Sequence, residues 1–351
     1  MSHQSTVNFI RFTFVILSLL ATYTILDTSI EKGFFQHITE CRITGKLPRS
    51  SGADARLIES FTGVPALDNS VKALVISFWP VINGENPSLS LLGVPAVASM
   101  GVSYLLLLLE ARRTRSFLSV TWRLAWVGLL ETICSQAVIL PIYCAIAFSS
   151  SKKPNGFRPI PHVTISLILC IYTGMALVAL PSPTVIPDGL KQAVVAFMVP
   201  WALWIFVMVF MASYLFPVEV EKEKSRRTIY ISALVIAATT HLGALLASLL
   251  HEDLGPADVF LPPLPRYVTW FPSLEEGLAS FLQWDYLIAS VTLVLWAVAV
   301  YLRDCDEHVD WQRLGLEVCG MSVIISPTGM AVLLIWRLDE MLSRREIAKE
   351  D

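Results

Sequence analysis

Runs of apolar residues long enough to cross a bilayer recur along this chain, and they constrain its fold more than any other feature. A hydrocarbon core of roughly 30 Å takes about 20 residues of α-helix. Runs near that length lie at about 8–26, 90–109, 124–148, 162–180, 192–216, 228–250, 281–302 and 315–336, with a shorter one at 71–82. Charged residues make up only 16% of the 351 residues, against roughly 25% in soluble domains. The expected fold is therefore all-α: a polytopic integral membrane helical bundle of about eight transmembrane helices, seven to nine by these runs. The stretches left outside, about 27–70 and 251–280, are too short for an independent domain, so residues 1–351 read as one polytopic transmembrane domain. The first run has one nearby cation, Arg11, and no small-x-small site after it, so it reads as an uncleaved span.

Charge and cysteine narrow the function. The net charge of −3 is spread over many loops without a basic face, so no nucleic-acid partner is expected. Positive-inside bias does not settle the topology, because Arg112, Arg113 and Arg115 compete with Lys222, Lys224, Arg226 and Arg227 three spans later. Cys134, Cys144, Cys170 and Cys319 fall inside apolar runs and no Cys-x-x-Cys occurs, so the thiols read as buried packing groups and no metal is expected.

Two loops stand out. Segment 251–277 is rich in proline and acid, with Trp270 and Phe271 interleaved, and reads as an ordered interfacial loop. In segment 61–93, Pro65, Pro80 and Pro87 with Gly63, Gly84 and Gly93 bracket the short apolar run. This is the pattern of a broken or re-entrant helix, which lipid tolerates only where the irregular backbone lines a cavity; a surface hairpin is the other reading.

Ionisable groups inside spans cost roughly 2.5–3.5 kcal/mol at the centre, so each is a candidate for function. Glu131 lies about seven residues into its run, and a protonated acid gluing two helices together is its structural alternative. His241 lies near the middle of another, without a second histidine at i+4, and reads first as a satisfied core group. Asp285, in FLQWDYLIAS, sits about one turn into its run, with Phe281, Ile288 and Ala289 on its side of the helix. That surround favours a neutral acid able to donate a proton, although the positive end of its own helix would also hold a carboxylate. Asp68 and Glu85 flank the short run and converge on a cavity only if that segment is re-entrant. The charge run DCDEHVD, 304–310, matches neither DDxxD nor NDxxD and reads as water-facing.

Carboxyl groups in an apolar, tryptophan-rich bundle suit a lipophilic substrate and an acid step. Aromatic faces stabilise a carbocation through their quadrupoles and shield it from water. Trp79, Trp126, Trp284 and Tyr286 are the leading candidates, with Trp201, Trp204 and Trp296 also available, although lipid-facing anchoring is the ordinary role of any one tryptophan.

The strings FTGVPALDNSVKALVISFWPVINGENPSLSL, ETICSQAVILPIY, FLQWDYLIAS and SPTGMAVLLIWRLDE resemble the fungal integral-membrane terpene cyclases of the ascochlorin, ascofuranone and macrophorin pathways. The resemblance runs from about residue 61 to 340. It implies cyclisation of the farnesyl tail of an aromatic meroterpenoid precursor, as olefin or terminal epoxide. It further implies initiation by protonation without diphosphate loss, no metal or other cofactor, and residence in the endoplasmic reticulum. Partners would be the prenylated small molecule and membrane lipid, with no obligate protein partner. In that scheme Asp285, then Glu131, is the candidate acid, and Glu85, Asp68 or His241 receives the final proton. A transporter or channel for a lipophilic metabolite, a receptor or scaffold, and a membrane prenyltransferase are the competing readings.

Overall fold

The computed structural model describes residues 3–49, 53–114, 117–149, 186–215, 222–305 and 309–350. The run at 162–180 and part of DCDEHVD lie outside them. The regular structure of the described chain is helical but for one antiparallel pairing of Lys46–Leu47 with Ala55–Arg56. In order the helices are α1 (His3–Ala21), α2 (Thr28–Glu31), α3 (Phe34–Thr44), α4 (Pro65–Ile82), α5 (Pro87–Thr114), α6 (Phe117–Cys134) and α7 (Gln136–Ser149). They continue with α8 (Asp188–Met198), α9 (Trp201–Leu215), α10 (Lys222–Leu250), α11 (Pro256–Phe260), α12 (Leu274–Asp304), α13 (Trp311–Ile325) and α14 (Pro327–Glu350). A π-helical turn, Thr22–Asp27, joins α1 to α2.

Proline marks where several of these begin. Pro65, Pro87, Pro256 and Pro327 open α4, α5, α11 and α14, where the missing N–H has no intrahelical partner to lose and the fixed φ suits a helix. Segment 61–93 is therefore a helical hairpin, not a string of fragments. α4 runs unbroken through Pro80 to Ile82, and Gly84 turns the chain into α5 at φ 80°, a conformation costly for any side chain. Pro95 and Pro141 are likewise carried inside α5 and α7.

By length and composition four helical stretches can cross a membrane: Val7–Glu31, Pro87–Glu110, Arg226–Leu250 and Leu274–Asp304. The bent pair Asp188–Met198 and Trp201–Met211 makes a fifth if taken as one span. The eight expected are not reached among the described residues, because three apolar runs are interrupted. Run 124–148 breaks at Ser135, which takes a left-handed φ of 86° between α6 and α7. Run 192–216 bends by 63° at Val199–Pro200, where proline lacks an N–H and its ring crowds the preceding turn. Run 315–336 breaks at Ser326, φ 76°, whose hydroxyl caps α14 by accepting from Gly329 N–H at 2.9 Å.

α12 is the axis of the bundle. Its 31 residues rise about 46 Å, more than a hydrocarbon core, and it packs on α1, α3, α4, α5, α7 and α14. Two apolar cores result. One joins α1, α5, α6, α7, α9, α10, α14 and the C-terminal part of α12. The other joins α3, the β-ribbon, α4, α8, α11 and the start of α12. Gly128 of α6 permits close approach of α9, since a Cβ there would collide with Ala202 and Trp201.

Candidate active site

Where the two cores meet, the bundle leaves a cavity of about 210 Å³. Its wall comes from α3, α4, α5, the α6–α7 break, the α8–α9 break and one face of α12. Both breaks thus border it, as expected where free backbone groups must avoid lipid. The lining is mostly apolar and rich in rings: Phe34, Phe35, Phe78, Trp201, Phe281 and Tyr286. Two carboxyl groups reach it, Glu131 and Asp285.

Asp285 is held by the broken helix opposite. The Ser135 hydroxyl and the Ala137 N–H both donate to its Oδ1, each at 2.7 Å. Asp285 therefore caps the N-terminus of α7 from a different helix, supplying the acceptor that α7's own chain lacks. Its Oδ2 accepts no hydrogen bond among the described residues, and Asp285 is one of the residues lining the cavity. Donors of this kind bond a carboxylate more strongly than a neutral acid, so the group left after proton loss from Oδ2 is already supported. Phe281 and Ala289, on its face of α12, line the cavity beside it.

Glu131 lies one turn before the break, and its carbonyl accepts from Ser135 N–H at 2.9 Å. Its carboxyl is buried and meets no hydrogen-bond donor among the described residues. Among the described residues the two acids thus share one cavity in contrasting surroundings, one supported by donors and one not.

Tyr286 lines the cavity next to Asp285, with His241 behind it. His241 Nε2 lies 3.2 Å from the Val323 carbonyl, so that nitrogen is assigned the proton and Nδ1 is left as acceptor toward the Tyr286 hydroxyl, 3.5 Å away. The Phe260 ring packs on both, at 5.5 Å from His241 and 6.1 Å from Tyr286. His241 therefore reaches the cavity only through Tyr286.

The remaining sequence candidates lie elsewhere. Asp68 is buried in the first turn of α4, where it accepts from the preceding turn: Ser60 Oγ (2.7 Å), Thr62 N–H (2.7 Å), Thr62 Oγ1 (2.8 Å) and Phe61 N–H (3.1 Å). The Ser60 hydroxyl first, then the Thr62 and Phe61 donors, hold this carboxyl well below the usual carboxylate range despite some desolvation. A depressed folded value means the stabilisation is in full above about pH 4, the unfolded value, and is lost as pH falls below it. Asp68→Ala is expected to lower the thermal midpoint while leaving product identity unchanged, checked by heat inactivation in membranes alongside product analysis. Loss of product at normal abundance and stability would instead put Asp68 in the chemistry.

Glu85 is half-buried at the α4–α5 turn, where its charge acts on Lys191 of α8. Trp79 is fully buried away from the cavity and donates to the Pro48 carbonyl at 3.0 Å. Trp284 donates to the Pro263 carbonyl at 3.1 Å and straps the proline-rich loop to α12. Trp126, 51% exposed, stands edge-on to Trp122 on the outer face of α6. Of the rings proposed for a cation, Tyr286 and Trp201 line the cavity. Phe34, Phe35 and Phe78 were not singled out in the sequence, because nothing in their local spacing separates them from core or lipid-facing residues. No cluster of three or more His, Cys, Asp or Glu suited to a metal occurs among the described residues.

No solved structure matches the chain. The CtvD domain matches residues 10–343. The chain is 90% identical to terpene cyclase sdgD of Emericella nidulans over the full length of both proteins. It is 32% identical to terpene cyclase verU1 of Penicillium polonicum, covering 95% of each chain. It is 25% identical to terpene cyclase ctvD of Aspergillus terreus, over 91% of this chain and 96% of that one. A helical chain with apolar spans, an acid-bearing aromatic cavity and this relationship along its whole length belongs to the CtvD-domain family and is a terpene cyclase.

Proposed function

We propose that the chain is a multi-pass protein of the endoplasmic reticulum that cyclises the prenyl tail of a farnesylated aromatic precursor, a meroterpenoid reaction begun by protonation. The observation that carries this reading is Asp285: it lines an apolar cavity walled by aromatic rings, one oxygen accepts from Ser135 and Ala137, and the other accepts no hydrogen bond among the described residues.

In this mechanism Asp285 gives its proton to the terminal alkene carbon or the epoxide oxygen, and in the epoxide case the C–O bond opens toward the more substituted carbon. The electron pair of the next double bond closes each ring and passes the cation along the chain. Trp201, Phe281 and Tyr286 are placed to face it, and the apolar wall keeps water from quenching it. A C–H bond then breaks, its electrons form the final double bond, and its proton leaves through the Tyr286 hydroxyl toward His241 Nδ1; an internal oxygen attacking the cation is the ring-closing alternative. Return of that proton to Asp285 restores the starting state. Glu131, which meets no donor among the described residues, serves as the neutral neighbour that keeps a second charge out of the cavity.

The test is incubation of microsomes carrying the chain with a farnesylated phenol and with its terminal epoxide, without added metal. The expected result is an isomer of unchanged mass and new retention. Recovery of both compounds untouched by abundant protein would sink this substrate class.

A further inference from the structure

Two of the residues that line the cavity are also exposed on the outer surface of the bundle. Ile133, in the last turn of α6, lines the cavity yet is 74% exposed. Phe35 of α3 also lines it and is 39% exposed. Ile133 ends an outer stripe on α6 formed with Trp122, Trp126 and Leu130, spaced at steps of four, four and three residues and all exposed. In a chain with bilayer-length apolar helices, such a stripe belongs against acyl chains.

Size makes this exposure consequential. A cavity of about 150 Å³ takes one benzene ring, so about 210 Å³ accommodates on the order of eight heavy atoms, close to two isoprene units. A three-unit farnesyl chain bearing an aromatic ring cannot be enclosed whole. Asp285 and Glu131 both reach this cavity, so the reactive terminus must lie within it.

We infer that the prenyl chain enters from the hydrocarbon of the bilayer through the side opening between Phe35 and Ile133, terminus first, leaving the aromatic ring at the mouth. This rests on the cyclisation reading for its choice of substrate. Narrowing the mouth should slow capture without touching the chemistry. Ile133→Trp is therefore expected to lower kcat/KM for the farnesylated phenol by about tenfold or more while kcat at saturation stays near wild type. Leu130→Trp, on the same outer stripe but outside the cavity wall, should change neither. An Ile133→Trp enzyme with wild-type kcat/KM would overturn the proposal.

A measurement without variants covers the case of a misfolded Ile133→Trp chain. A farnesyl phenyl ether carrying a diazirine on its ring is irradiated in wild-type membranes, and the labelled peptides are identified. Label on the peptides holding Phe35 or Ile133 is expected, and label confined to other segments overturns the side opening. Wild type that is labelled at the mouth but forms no cyclised product would remove the cyclisation reading and leave the opening standing.

Discussion

Asp285→Asn should abolish cyclisation while leaving the protein folded. The amide oxygen can still accept from the Ser135 hydroxyl and the Ala137 N–H at the 2.7 Å positions, so the start of α7 keeps its cap. An amide has no proton to give an alkene or epoxide, and positioned general acids contribute roughly 10²- to 10⁴-fold. A loss of that order in product formation, with heat inactivation in membranes close to wild type, is the expected pair of results. Asp285→Ala should lose activity equally but also stability, by about 1–3 kcal/mol, because two donors beside it are left without an acceptor. Wild-type turnover by the Asn variant would remove Asp285 from the chemistry and shift attention to Glu131, the other carboxyl on the cavity.

Ser135 separates support of the acid from support of the fold. Its hydroxyl donates to Asp285 while its backbone adopts φ 86°, where a side chain costs about 1–2 kcal/mol relative to glycine. Ser135→Gly removes the hydroxyl and the strain together. It is expected to be at least as stable as wild type yet slower in turnover by about 10- to 100-fold, the worth of one hydrogen bond to a charged group. Ser135→Ala should show the same fall in turnover without the gain in stability, since the Cβ stays. A merely structural Ser135 would tie activity to stability, and a Gly variant that is both more stable and fully active would end its assignment as the residue positioning Asp285.

With the chain shown to be a terpene cyclase, the transport, scaffold and prenyltransferase readings give way. Much of the candidate site was legible beforehand. Asp285 and Glu131 stood out because acids inside apolar runs are costly, and the structure places both on one cavity. Phe281 and Ala289 were placed on the Asp285 face by helical spacing, and both line the cavity. Asp68 and Glu85 show the limit of the same rule. Flanking an apolar run says that a carboxyl is near the membrane, but whether it is free for chemistry depends on its donors. Asp68 has four of them from the turn that precedes it.

The breaks were the least legible feature. Pro200 and Pro327 sit at two of them, yet Pro80, Pro95 and Pro141 are carried within helices, so proline alone does not locate a break. Ser135 has no proline beside it. Its left-handed turn is held by a partner 150 residues away, through the Asp285 carboxylate.

The sequence by itself therefore determined the class: apolar runs of bilayer length make helices, and the few acids within them are the candidates for function. Only the tertiary structure decided that two of those acids line one cavity beside a broken helix, that Trp79 and Trp126 turn away, and that Ile133, which also lines it, is exposed on the outside. Hydropathy is a property of one segment read against its solvent, whereas a cap, a cavity wall and an opening each exist between segments and appear only when their separations close.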